Sequence, residues 1–175
     1  MSADISYEFA FGTYEDALAM VGARTEPRFA GTAVSAARIH HFASMVQDGN
    51  PAYWDPDFAQ QVWGGLVAPP ALLMGLLIPP PWLPTGTPRI ASIAIRVPLP
   101  GPTFINASNE VDFPAPILEG DRLSVVEEVV SVSPEKLTRL GAGHFVQTCE
   151  RYYRDDTVVA VNRNTLFRYT PTESS

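Results

Sequence analysis

The second half of the chain constrains the fold most. After Pro88 come five segments rich in Val, Ile, Thr, Phe and Tyr: IASIAIRVPL, TFINASNEVDF, RLSVVEEVVSVS, KLTRLGAGHFVQTCERYYR and TVVAVNRNTLFRY. PGP, PAPILEGD, SPEK and RDD separate the later ones. Such side chains suit a pleated, half-buried surface, and clusters of Gly, Pro and Asp reverse the chain. Strands following one another through short turns pair antiparallel, so a meander is expected.

Helices precede it. In AARIHHFASMVQD, Ala36, Ile39, Phe42, Ala43 and Val46 share one helical face, Ser35 is available as N-cap, and Gly49 and Asn50 end the run. PDFAQQVW allows one or two turns begun by Asp55 and Pro56. WGGLVAPPALLMGLLIPPP reads as a glycine turn, a helix opened by Pro69 and Pro70, and a stop at Pro79 to Pro81. Apolar on every side, that helix is expected to be buried, with the sheet wrapped around it. The expected layout is an N-terminal arm over residues 1–32, irregular or with a short helix, a single domain over 33–171, and a tail over 172–175.

Hydrophobic residues make up 46% and charged residues 18%, a globular balance despite 17 prolines. A net charge of -7 offers no basic face for a nucleic-acid backbone, so no nucleic-acid partner is expected. The longest apolar run, Leu66 to Ile78, is too short for a bilayer and is broken by Pro69 and Pro70. MSADISYEFAFG lacks the basic and apolar regions of a signal peptide, and a cytoplasmic protein is expected. Cys149 is the single cysteine and His40, His41 and His144 are the only histidines, so neither a disulfide nor a metal site is expected, nor any cofactor.

Four pieces in order, ARIHHFASMVQDGNPAYWDPDFA, GGLVAPPALL, PILEGDRL and GAGHFVQTCERYYRDDTVVAVNRNTLFRY, resemble the MaoC-like acyl dehydratases and R-specific enoyl-CoA hydratases, in their N-terminal or fatty-acid-synthase-like branch. The resemblance covers about Ala33 to Tyr169. It implies an α+β hot-dog fold, a curved antiparallel sheet around a long central buried helix, with two such units pairing around an acyl thioester. Active members carry a D-x-N-P-x-H loop whose aspartate and histidine handle the protons of water addition to an enoyl thioester. Here Asp48, Asn50 and Pro51 match, and Tyr53 stands at the histidine position. A phenol with an ordinary pKa of about 10 donates a proton or hydrogen bond but is a poor base.

Asp48, Asn50 and Tyr53 are therefore the candidate catalytic positions, Asp48 having a second reading as an aspartate that bonds turn amides. The start of the GGLVAPPALL helix could present amides to a developing oxyanion, from Val67, Ala68 or Ala71, since Pro69 and Pro70 have none. Trp54, Trp63, Trp82, Met74, Phe104 and Phe113 are candidate walls of an acyl pocket, or simply core. Arg89, Arg96, Arg151 and Arg154 are candidate contacts for coenzyme A phosphates, or solvated surface. His40, His41 and His144 read as packing or surface histidines.

Three functions follow from the resemblance. The first is a degenerate-site subunit of a heteromeric enoyl-CoA hydratase for a bulky acyl-CoA, long-chain or steroid, whose sister hot-dog subunit carries the intact loop. The second is a self-sufficient homodimeric hydratase or dehydratase using Asp48. The third is an acyl-CoA-binding module without catalysis.

Overall fold

The computed structural model describes residues 9–78 and 92–172. A short helix α1 (Tyr14–Leu18) opens the chain, capped by Thr13, and a two-residue strand β1 (Arg28–Phe29) follows. Ser35 caps α2 (Ala36–Met45) by accepting the amide of Arg38. Ile39 and Ala43 bury one face of α2, with Ala36 and Phe42 packed alongside, while Val46 lies past its end and is exposed. Two short helices, α3 (Pro51–Trp54) and α4 (Pro56–Trp63), start on the side chains of Asn50 and Asp55, each with proline in its first turn.

The segment expected to form the central helix is a 3-10 turn (Pro70–Leu72) running into α5 (Leu73–Leu76). Leu72, Leu73, Leu76 and Leu77 are buried, but Ala71 and Met74 face outward, so only one side of this apolar helix is covered. The described helix is far shorter than the long one expected, because Pro69 and Pro70 withhold two amides at its start and α5 ends at Leu76. Pro79 to Pro81, Trp82 and Arg89 lie outside the described residues.

One expected strand is a helical turn: IASIAIRVPL contributes α6 (Ile93–Arg96). Ser92 caps it, and the carboxylate of Glu127 accepts the Ile93 amide at 2.7 Å, which overrides the β-preference of Ile-Ala-Ile. The strands proper are β2 (Thr103–Asp112), β3 (Leu123–Val132), β4 (Lys136–Thr138), β5 (Gly141–Arg154) and β6 (Thr157–Pro171). The expected single strand from Lys136 to Arg154 is thus a hairpin, turned where Gly141 adopts φ +142° and the Thr138 hydroxyl accepts the Leu140 amide.

All pairings are antiparallel, in the order β1-β3-β5-β6-β2, with β4 beside β5. The antiparallel α+β architecture is as expected, but the order is not the expected meander: β2 crosses over to pair with β6 instead of β3. Alternation along β3 buries Leu123, Val125, Glu127 and Val129; a bulge at Val130 then shifts the register and brings Val132 inward. One part of the core joins α2, α3 and α5 to Leu123, Val125, Tyr152 and Val159; another joins α1 and α6 to Val129, Val146 and Leu166. Residues 22–34 run along the free edge of β3 through backbone bonds to Val129, Glu127 and Leu123. At the opposite margin β2 is exposed along most of its length. Among the described residues no helix is long and apolar enough to cross a membrane.

Candidate functional site

The loop DGNPAYW is built by its own side chains. Gln47 takes a left-handed φ of 55° that closes α2, and the Asp48 amide reaches back to Ala43 at 2.9 Å. Asp48 Oδ1 then accepts the Asn50 amide at 3.0 Å, and Asn50 Oδ1 accepts that of Ala52 at 3.0 Å, two successive Asx turns. The Trp54 indole donates to the Asp48 carbonyl at 2.7 Å and tightens the loop. The alternative reading of Asp48, a carboxylate bonding a turn amide, is thus visible in the geometry, although the side chain stays exposed and one oxygen remains available.

Tyr53 points inward and is 6% exposed. Burial first, and the charge of Asp48 second, push its hydroxyl above the ordinary tyrosine value, with Asn50 opposing in part. Asp48, Asn50 and Tyr53 therefore form one neighbourhood in which the phenol holds its proton through neutral pH. It can donate a hydrogen bond; it cannot serve as the base that a histidine would be.

His40, midway along α2, stacks on Trp54 with ring centroids 4.9 Å apart, and its Nε2 is buried without a hydrogen-bond partner. A hollow of about 350 Å³ lies there, bordered by His41, Ser44 and Met45 as well. His144 is remote in kind: its Nδ1 meets the Ser133 carbonyl at 2.9 Å and its ring stacks on Tyr14, a packing role.

The amides proposed for an oxyanion are differently placed. Val67 donates to Ala52 O at 3.0 Å and Ala68 to Ile117 O at 2.8 Å, so both are committed to tying this segment between the loop and PILEGD. The Ala71 amide has no backbone acceptor among the described residues, and Ala71 is exposed. Trp63 is half-exposed at the end of α4, Phe113 is exposed and Phe104 packs in the core. Met74 Sδ lies 4.0 Å from the Tyr152 hydroxyl and 3.9 Å from Asn162 Nδ2. Of the arginines, Arg151 pairs with Glu128 at 2.9 Å and Arg154 with Asp121 at 3.0 Å, structural ties rather than free phosphate contacts; Arg96 is exposed. No group of three His, Cys, Asp or Glu side chains suited to a metal occurs among the described residues.

The residue reading passed over Glu127, Glu150, Tyr152 and Asn162 on the inner sheet face. One signal was present: in LSVVEEVVSV the inward register falls on Leu123, Val125, Glu127 and Val129, which sends a glutamate into the core.

The family model described as "FAS1-like, dehydratase domain region" matches residues 19–162. The chain belongs to this dehydratase family. A curated family relative, the probable enoyl-CoA hydratase alpha subunit of Thermomonospora curvata, is 33% identical over 154 residues, covering 83% of this chain and 48% of that protein. The FAS1-like chain thus spans about half the length of that relative. Among solved structures, the ChsH1-ChsH2 complex from Mycobacterium tuberculosis superposes with a TM-score of 0.76 at 22% identity, covering 91% of this chain and 98% of the matched one. The MaoC-like dehydratase from Rhodospirillum rubrum gives 0.58 at 23% identity, covering 87% and 94%. These likenesses place the FAS1-like dehydratase chain in the hot-dog fold.

Proposed function

We propose that this chain is the degenerate-site subunit of a heteromeric MaoC-type enoyl-CoA hydratase of the cytoplasm, paired with a sister hot-dog subunit that carries the intact aspartate–histidine loop. The observation that carries the reading is Tyr53, a buried phenol at the histidine position, its hydroxyl raised by burial and by Asp48. Water addition to an enoyl thioester needs one group to take a proton and one to give it. Asp48 offers one carboxylate already engaged with a turn amide, and Tyr53 only a donor. The sister's loop supplies the missing pair; this chain supplies the fold, an exposed β2 margin for pairing and, through its short α5, room for a bulky acyl group, long-chain or steroid. Likeness to a protein named an alpha subunit and to a complex of two different chains supports the reading.

The test is hydration of long-chain and steroid-type 2-enoyl-CoA, followed by loss of enoyl absorbance, with the chain alone and with the hot-dog protein that copurifies from its host. Turnover by the mixture alone is expected. A stable homodimer with full turnover by itself would refute it.

One observation favours the second reading, a self-sufficient homodimeric hydratase. His40, with an unpartnered Nε2, stacks against the tryptophan that binds the Asp48 carbonyl. Under that reading Asp48→Asn and His40→Ala each abolish turnover of the isolated chain.

A further inference from the structure

Two exposed surfaces of the chain complement each other. The first is the corner made by α2, α3 and α4, where Met45, Trp54, Phe58, Val62 and Trp63 are all exposed, Met45 by 70%. Phe58 and Val62, four residues apart on α4, share one outward face. The hollow of about 350 Å³ lies beside Met45 and Trp54, and the buried His40 Nε2 there has no hydrogen-bond partner. The only charge on this corner is negative: Asp48, Asp55 and Asp57 are exposed, and no Lys or Arg occurs between Arg38 and Arg89. Apolar side chains grouped on a surface and rimmed by polar ones mark an interaction site. Three carboxylates around this one disfavour the phosphates of a nucleotide or an anionic lipid surface, and favour an apolar partner that carries positive charge.

The second surface answers that description. At the hairpin joining β4 to β5, Leu137 is 87% exposed and Leu140 45%. Lys136 and Arg139 stand next to them, exposed and without a carboxylate partner among the described residues. The tip is held in shape: the Thr138 hydroxyl accepts the Leu140 amide at 3.1 Å and donates to the Gly141 carbonyl at 3.0 Å. A leucine presented on a turn already fixed loses little freedom when it docks. Among the described residues β4 pairs with β5 alone, so its outer edge also offers main-chain donors and acceptors.

Within one chain the two surfaces are far apart. The hairpin closes at Gly141, where β5 begins, whereas Tyr152 near the other end of β5 shares a core cluster with Ala52, Tyr53 and Ala59 of the corner. From residue 141 to residue 152, at about 3.3 Å per residue, the strand covers about 35 Å. The hairpin of one chain therefore meets the corner only of another.

We propose that a second copy of this chain occupies the corner, its Leu137 seated in the hollow beside Trp54 and its Lys136 and Arg139 facing Asp48, Asp55 and Asp57. With hairpin and corner at opposite ends of the sheet, two copies running in opposite directions make the contact twice about a two-fold axis, which closes the pair. β4 lies on the β3 side of β5, away from β2. The pairing thus leaves the β2 margin to the sister subunit and goes beyond the heteromeric reading by placing two copies of this chain in direct contact.

Native mass spectrometry of the protein as isolated from its host, with the subunit that accompanies it, counts the copies of each chain, and sedimentation at increasing salt measures how tightly the copies hold. Two copies of this chain per assembly are expected, with a dissociation constant that rises with salt. Leu137→Asp, a change at a side chain the fold leaves in solvent, should raise that constant about a hundredfold, and Asp57→Lys about tenfold. An equimolar mixture of the two variants should pair more tightly than Leu137→Asp alone, because one unaltered hairpin then meets one unaltered corner. A single copy per assembly, or copies that stay paired in both variants, would overturn the proposal. Loss of the sister subunit in place of the second copy would overturn it too, since the corner would then be the sister's seat.

Discussion

Replacing Arg168 with methionine should destabilise the protein more than any change at the candidate loop. Arg168 is 3% exposed and has no carboxylate partner among the described residues. Its guanidinium instead donates to backbone carbonyls: Gly101, Ala10 at 3.0 Å, Leu99 at 3.3 Å and, at the limit, Ile95 at 3.5 Å. The Phe9 ring lies 4.2 Å from it and that of Phe11 5.2 Å. Burial pushes its pKa down to about 10, so it remains charged at neutral pH and its desolvation is offset only by these contacts. Methionine keeps most of the apolar stem and strands three close acceptors. At roughly 1–3 kcal/mol for each, partly offset by no longer burying a charge, the loss is about 3–5 kcal/mol. For a domain of this size that lowers Tm by roughly 10 °C. Urea unfolding followed by tryptophan fluorescence reads the change as a shifted midpoint at constant slope. Arg168→Lys should recover less than half, because a compact ammonium cannot reach several carbonyls at once. A loss below about 1 kcal/mol for the methionine variant would refute the account.

Gly143→Ala should cost about 2–4 kcal/mol, since a Cβ there would lie 2.2 Å from the Arg168 carbonyl oxygen, and thermal unfolding measures it. Burial holds the Glu127 carboxyl above its ordinary value, so between the unfolded and folded values the native state binds the proton more tightly. The stability this contributes is full below the ordinary carboxylate range and is lost as pH rises through the raised value; a pH series of urea midpoints for Glu127→Gln should be flatter than the parent's over that window. Under the proposed heteromeric reading, Tyr53→Phe should leave turnover of the assembly within about twofold, because the sister's loop handles both protons. A fall of a hundredfold would mean that the phenol takes part.

The strands β2, β3, β5 and β6 are legible in the sequence because alternating side chains, β-branched residues and turn chemistry all agree there; the place of β2 beside β6 instead of β3 is not, because partner choice rests on contacts far apart in sequence. Ser35 and Asp55 were readable as helix starts for the same reason, whereas Asn50, read only as the end of a helix, also caps the start of α3. The segment Ile93–Arg96 was not, because its helical turn depends on a carboxylate 34 residues away in sequence, Glu127, accepting the Ile93 amide. Likewise the commitment of the Val67 and Ala68 amides is decided by Ala52 and Ile117. The polar residues of the inner sheet face were not legible as a group because Glu127, Glu150 and Asn162 become one row only through strand register, which turn and bulge positions settle together.

The same distinction between local and distant demands explains the loop that keeps aspartate, asparagine and proline while lacking histidine. Asp48 and Asn50 each hold a turn amide at 3.0 Å, and Pro51 sits in the first turn of α3, so the backbone of this corner depends on all three. The side chain at position 53 bonds no turn amide. What the fold asks there is only a body that packs against the core, and Tyr53 meets that demand at 6% exposure. Under the proposed heteromeric reading, in which a sister subunit performs the proton transfers, nothing structural calls for an imidazole at that position, whereas the turn still requires its aspartate and asparagine. On that reading the loop keeps the residues that shape its turns and departs from the D-x-N-P-x-H pattern only at position 53, whose side chain holds no turn amide.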